Sequence, residues 1–389
     1  MTAEVAEPSR TRVHGRTRPL LGFIVNPVAG MGGSVGLKGT DGDVIVHEAM
    51  RRGARPMAGE RAARAVDRLT ASLSQVDVVT VAGPMGEQVV RDAGIEPNVL
   101  ESSHLGSSTS IDTRKAARAM ADQGVDLILF AGGDGTARDI LGASGHQVPM
   151  LGVPAGVKMH SAVFGTTPAN AGHLAALFLV GSPRALLRDA EVMDLDEDAI
   201  RAGTVSAQLY GHARSPFERR LVQNAKAGSV PGENETLDAV ARRMAEGMRD
   251  GRVYILGPGT TTRRLADALG IPSTLLGVDA VLDRQAVGLD LNEQALLRII
   301  EGHEAEIIVS VLGGQGSLFG RGNQQISAEV IRKVGRDGIK VLSTVEKLIN
   351  LPTRALQVDT GDAEIDAMLT GHIPVITGPN RTALVKVRA

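Results

Sequence analysis

The stretch LILFAGGDGTARDI, Leu127–Ile140, runs an apolar segment into two glycines, an aspartate, a third glycine and a threonine, after which the pattern turns helical. A continuous apolar run of this length predicts a strand buried on both faces of a parallel sheet. Glycines at its end let the backbone approach an anion closely, and a helix N-terminus offers free N–H donors and partial positive charge. Gly132, Gly133, Gly135 and Thr136 therefore read as a phosphate cradle. Asp134 is the odd residue, because a carboxylate repels phosphate unless a cation or a proton comes between them. Its presence makes chemical sense if it contacts Mg²⁺ or accepts the proton of an attacking hydroxyl. The plainer alternative is a helix cap in a tight turn.

Working outward, the same design recurs along the chain. LLGFIV, from Leu20, predicts a first strand, followed by NPVAGMGG, whose Asn26, Pro27, Gly30, Gly32 and Gly33 could wrap a phosphate. Ala62, Ala65, Val66, Leu69 and Leu73 fall at the spacing of a helix face. VDVVTVAG predicts strand two, and IDTRKAARAMADQG a helix with Asp112 or Thr113 as N-cap and Gly124 as its stop. VPMLGVPAG is another strand, and Lys158 just after it is placed to meet phosphate; His160 reads as structural. In the second half, RVYIL leads into GPGTTTRR, where Gly257, Gly259, Thr260, Thr261, Thr262 and Arg263 offer an anion site at a helix start. GGQGSLFGRGNQQIS, Gly313–Ser327, is glycine-dense and reads either as a ligand loop or as a connector. Strand and helix alternation in both halves predicts an α/β protein, with a mostly parallel N-terminal sheet domain and a second, mixed α/β domain. The expected division is a flexible tail over 1–18, a nucleotide-binding domain over 19–195 and a C-terminal domain over 196–389, with 210–236 an irregular linker or lid.

Composition narrows the function classes. The chain has 389 residues, 43% apolar and 22% charged, the values of a globular protein long enough for two domains. Aromatic residues make up 2%, too few for a base-stacking platform, and the net charge of −2 supplies no field for nucleic acid or anionic membrane. No cysteine is present, so disulfides, thiol catalysis and Cys-ligated zinc are excluded. The N-terminal region lacks a signal-peptide pattern and no run reaches spanning length, which predicts a cytoplasmic protein with a small-molecule ligand. GxxxxGK[ST] and GxGxxG are both absent, so the two commonest nucleotide fingerprints do not apply.

GGDGT after a buried strand, set behind NPVAGMGG, resembles the superfamily of NAD kinases, diacylglycerol and sphingosine kinases and phosphofructokinases. Together with GVPAGVKMHSAVF it looks like the ATP-NAD kinase-like group that includes the acetoin-catabolism X protein, most strongly over residues 20–175. The resemblance implies an N-terminal domain of NAD kinase type, a ligand cleft between two domains, ATP as phosphoryl donor, Mg²⁺, NAD as a bound nucleotide, and a homo-oligomer. It implies Asp134 as catalytic base or Mg²⁺ partner. LGPGTTTRRL, Leu256–Leu265, is the nearest counterpart of the family's second dinucleotide-contacting loop, and Asn234–Glu235 or Asn292–Glu293 are the candidates for its short Asn-Glu motif. Two departures stand out: helical segments in the second half, and no clean Asn-Glu pair. The expected reaction is γ-phosphoryl transfer to a hydroxyl, foremost the adenosine ribose 2′-OH of NAD to give NADP. The alternatives are a same-fold kinase of another metabolite alcohol and a nucleotide-binding regulator without turnover.

Overall fold

The computed structural model describes residues 16–389 apart from 34, 38–42, 74, 102–107, 157–158, 196–206, 219–220, 223–232, 312–315, 321 and 352. Lys158, most of the expected tail and the central part of the expected linker lie outside the described residues. Of the tail, Arg16 is tied down, its guanidinium donating to the carbonyls of Gln123 and Gly124.

The first domain holds strands Leu20–Val25 (β1), Asp77–Val81 (β2), Asn98–Leu100 (β3), Leu127–Gly132 (β4) and Met150–Pro154 (β5). All four pairings are parallel and the order is β3-β2-β1-β4-β5. Its helices are Asp43–Arg51 (α1), Ala58–Thr70 (α2), Glu87–Asp92 (α3), Ser110–Asp122 (α4), Asp134–Ser144 (α5) and Pro168–Leu179 (α6). Every residue of β4 is buried, as its unbroken apolar run requires. Ala62, Ala65, Val66 and Leu69 of α2 are buried, and α2 packs on α6. The cap of α4 differs from expectation: Thr109 is the N-cap, and Asp112 at the third helical position accepts its N–H and hydroxyl. This is a capping box, in which the carboxylate reaches back one turn.

Strands Leu186–Leu195 (β6) and Ala207–Phe217 (β7) form an antiparallel ribbon whose β6 packs on α5 and whose β7 packs on β5. Gly211–Phe217, expected to be irregular, is thus regular strand. Its buried positions, Ala213, Ser215 and Pro216, are small or polar or a proline and announce no period of two.

Helix Glu233–Gly247 (α7) comes next, so that segment too is regular. Then come Arg252–Leu256 (β8), Thr260–Leu269 (α8), Asp279–Leu282 (β9), Gln285–Gly288 (β10), Glu293–Ile299 (α9), Glu304–Ser310 (β11), Ser317–Phe319 (β12), Ala328–Val334 (α10), Ile339–Leu342 (β13), Val345–Ile349 (α11), Ala355–Val358 (β14), Ala363–Leu369 (α12), Gly371–Gly378 (β15) and Arg381–Arg388 (β16). They make one mixed nine-stranded sheet in the order β10-β9-β8-β11-β13-β15-β16-β14-β12. The two-domain α/β architecture is the expected one. Among the described residues no helix is long and apolar enough to cross a membrane.

The domains meet along α2. The Arg61 guanidinium, 3% exposed, donates to the Pro154 carbonyl at 2.6 Å and to the Asp359 carboxylate just beyond β14. Arg64 adds a bond to the Gly361 carbonyl at 2.9 Å.

Candidate functional site

In the order β3-β2-β1-β4-β5 the chain runs outward from β1 on one side and from β4 on the other, so the sheet reverses between these two strands. Ligands of open α/β sheets bind in the crevice at the carboxyl ends of the strands flanking such a reversal. NPVAGMGG follows β1 and GGDGT follows β4, so the two glycine-rich motifs flank that crevice.

Short-range bonds lock the loops together. Asn26 donates its backbone N–H to the Ala131 carbonyl at 2.9 Å and its amide to the Thr136 hydroxyl at 3.0 Å, while its Oδ1 accepts from the Val28 N–H. The sequence placed Asn26 and Thr136 at the ligand; here they join the β1 loop to the start of α5. The loop after β5 closes the group, with the N–H groups of Ala155 and Gly156 donating to the Gly132 carbonyl. Gly30 has φ +74°, and a Cβ on it would stand 1.8 Å from the Ala155 carbonyl oxygen. No residue but glycine fits there. Gly133 and Gly156 touch backbone to backbone, the Gly156 Cα lying 3.3 Å from a Cβ built on Gly133. Gly32 and Gly33 are buried in the turn, whereas Gly133 and Gly135 are half-buried.

Helix α5 starts at Asp134, with Gly133 as N-cap and no side-chain cap. Helices α6, α9, α10 and α12 by contrast are capped by Thr167, Asn292, Ser327 and Asp362. Helix α5 thus starts on glycine without a side-chain cap, an arrangement in which a helix N-terminus suits an anion. Asp134 itself is 6% exposed. Its Oδ2 accepts from the His160 N–H at 2.7 Å, and its Oδ1 from the Ser161 N–H at 3.0 Å and hydroxyl at 2.5 Å. The Ser161 hydroxyl oxygen accepts in turn from the Met193 N–H at 2.9 Å, joining the motif to β6. A buried carboxylate needs such donors, and its place in the first helical turn favours its charge. Neither the tight-turn reading nor the cap reading foresaw this employment, and Ser161 is the site residue that sequence reasoning missed.

Both Asp134 oxygens are thus engaged, and among the described residues no group of three or more His, Asp or Glu side chains is placed to hold a metal ion. The Mg²⁺ contact expected of Asp134 would share its carboxylate with the His160 and Ser161 donors. A cavity of about 190 Å³, lined by Val81, Leu100, Glu101, Asp112 and Lys115, opens beside α4 and includes no residue of the glycine-rich loops.

The third motif lies on the second sheet. Gly257 donates its N–H to the Ile308 carbonyl and Gly259 to that of Leu275, and α8 starts on Gly259 with no side-chain cap. The Thr262 hydroxyl donates back to the Gly259 carbonyl; Thr261 and Thr262 are buried, Thr260 and Arg263 exposed. Strands β8 and β11 are parallel neighbours from which the sheet departs in opposite directions, a second reversal with a glycine-led helix start at its edge. Of the two Asn-Glu candidates, Asn292 caps α9 through the Ala295 N–H, and the Asn234 side chain lies outside the described residues.

No curated protein matches the sequence significantly. Among solved structures, the chain is similar to two described as diacylglycerol kinases from Bacillus anthracis str. Sterne. One is 18% identical over 46% of this chain and 46% of that one, with TM-score 0.24; the other is 13% identical over 61% and 59%, with TM-score 0.25. The chain therefore spans about half to three fifths of their length. A UDP-N-acetylglucosamine 2-epimerase is 12% identical over 85% and 79%, with TM-score 0.23. Overlap this weak carries no argument about fold or activity. The family comparison is of another order, since the ATP-NAD kinase N-terminal domain matches residues 21–182 and the ATP-NAD kinase C-terminal domain matches residues 249–387. With both domains present in order and the glycine-rich loops at the sheet reversal of the first, the chain belongs to the ATP-NAD kinase family.

Proposed function

We propose that this protein is a small-molecule kinase that transfers the γ-phosphoryl group of ATP to a hydroxyl, foremost the adenosine ribose 2′-OH of NAD, giving NADP. The observation that carries this reading is the crevice at the β1/β4 reversal, where the uncapped start of α5 opens between two glycine-rich loops. Phosphoryl transfer asks mainly for positioning and charge neutralisation, which first-turn amides and glycine backbone supply. Mg²⁺ enters as part of the ATP substrate complex, in keeping with an ion that retains its waters and rides on phosphates. Asp134 is the group proposed to take or steer the acceptor's proton, sharing its carboxylate with the His160 and Ser161 donors. The exposed Arg263 and the α8 start are proposed to face a second phosphate-bearing group.

The domain boundary is proposed at the start of α7, because the β6–β7 ribbon packs on the first domain. The placement with the acetoin-catabolism X-like group, the ligand cleft between the domains, a cytoplasmic location and a homo-oligomer belong to the same proposal; light scattering on the purified chain checks the last. A second reading, nucleotide binding without turnover, draws on the three hydrogen bonds that the Asp134 carboxylate already accepts.

An end-point assay separates the two: purified protein with ATP, Mg²⁺ and NAD, with NADP read by an NADP-specific dehydrogenase. The kinase reading expects NADP. Thermal protection by ATP or NAD without any NADP would sink the NAD assignment and send the search to another acceptor or to a regulator.

A further inference from the structure

The glycine-dense segment between β12 and α10 has no part in the proposed phosphate chemistry, and it carries an unusual feature. The side-chain oxygens of Asn323, Gln324 and Gln325 are buried and accept no hydrogen bond from the described residues. Asn323 is 1% exposed and Gln325 4%. Buried polar atoms are almost always paired, and three orphans on consecutive residues are costly unless a ligand completes them. The Asn323 orientation is fixed independently, because its amide nitrogen donates to the Leu318 carbonyl at 2.8 Å, leaving Oδ1 as the free end.

The turn's position gives these amides a context. At one end, Gly320 packs against Asp359, whose N–H donates to the Phe319 carbonyl and whose carboxylate meets Arg61 of the first domain. At the other end, Ile326 lies 3.7 Å from a Cβ built on Gly257, the first residue of the α8 loop. The amides thus sit between the inter-domain contact and the second glycine-led helix start. Carbonyl oxygens repel phosphate, and a set of neutral amides without a carboxylate is a poor divalent-cation site. What an amide end matches is a paired donor and acceptor, and the pairing of Asn or Gln with the amine and adjacent ring nitrogen of adenine has that form.

We propose that the Asn323–Gln325 turn reads the amine edge of an adenine nucleotide. The inference rests on the kinase reading only in taking a nucleotide as the ligand.

The test is calorimetric titration of the full chain with two pairs of probes: ATP against ITP, both with Mg²⁺, and NAD against its hypoxanthine analogue. Hypoxanthine replaces the amine with an oxygen that would face the amide oxygens. The expected result is adenine preferred by about five- to a hundredfold in at least one pair. Gln325→Met, similar in volume, should bring that pair towards parity with an unchanged Tm. Should Gln325→Met fail to fold, Gln324→Met at the half-buried neighbour decides in its place, with the same narrowing expected. Equal affinities within both pairs, or a preference that survives substitution in a folded variant, overturn the inference. NADP formation without base preference overturns it and leaves the kinase standing. Base preference without phosphoryl transfer does the reverse, and absence of binding by all four probes overturns both.

Discussion

Asp134 is both the most informative residue of the sequence and the one whose surroundings complicate its own test. Its Oδ1 and Oδ2 together accept three hydrogen bonds from His160 and Ser161. Asp134→Asn puts an amide NH₂ against one of those donors, so a loss of about 1 to 3 kcal/mol in stability is expected whatever the residue does in chemistry. Ser161→Ala removes one donor and leaves the carboxylate intact, and its cost should fall in the same range. Denaturant unfolding of both variants beside the NADP assay separates the roles. If Asp134 handles the proton, Asp134→Asn abolishes NADP formation while Ser161→Ala, equally destabilised, retains it; equal loss of activity in the two would mark Asp134 as a structural anchor. The glycines and Asp134 were legible because strand end, tight turn and helix start are contiguous. Ser161 was not, since it meets the carboxylate from 27 positions away in an irregular stretch without a pattern of its own.

At the scale of elements, legibility followed the strength of the local signal. Strands β1, β4 and β5 and helix α2 announce themselves through apolar runs or a helical stripe, and each sits where the sequence put it, except that α2 ends at Thr70, short of the Leu73 counted on its face. Strand β7 does not, because its buried residues are Ala213, Ser215 and Pro216 and its apolar Leu209 faces outward. Helix α12 illustrates a subtler effect, set by the turn that precedes it. Burial is the main cause holding the Asp366 carboxyl above its ordinary value; the Thr360 hydroxyl and N–H oppose that rise, and nearby Asp359 adds to it. A raised folded-state value means that the folded protein holds the proton more tightly than the unfolded chain. The corresponding stability is present below the ordinary aspartate range and is lost as pH rises through the raised value. Both Thr360 bonds end on Oδ1, which an asparagine retains. Asp366→Asn should therefore gain stability relative to the parent as pH climbs from about 4 towards 7, while the two converge in acid. Urea midpoints across that range check it, and a gap that widens in acid instead would contradict the burial argument.

The whole molecule is held as a two-domain unit in part by a contact that no local pattern could reveal, for Arg61 and Asp359 are 298 positions apart. Arg61 does two things at once. Its Nε holds the Pro154 carbonyl at the root of the Ala155–Gly156 loop, and its other nitrogen holds Asp359 at the edge of the second sheet. The pair therefore couples the geometry of the first domain's glycine-rich loops to the position of the second domain. Arg64, 3.5 Å from the other Asp359 oxygen, supports the pair from the exposed side. Removing one partner of a buried ion pair leaves its counter-charge stranded and costs about 3 to 5 kcal/mol, whereas replacing both with apolar groups recovers much of that loss. Arg61→Leu should fall near the lower end, because Arg64 still faces Asp359. Arg61→Leu with Asp359→Leu should be more stable than Arg61→Leu alone, yet it should uncouple the domains, splitting one calorimetric transition into two. Stability and coupling are then read separately. If the double variant regains stability and still melts as one unit, the domain contact rests on the apolar surroundings of α2 rather than on the ion pair.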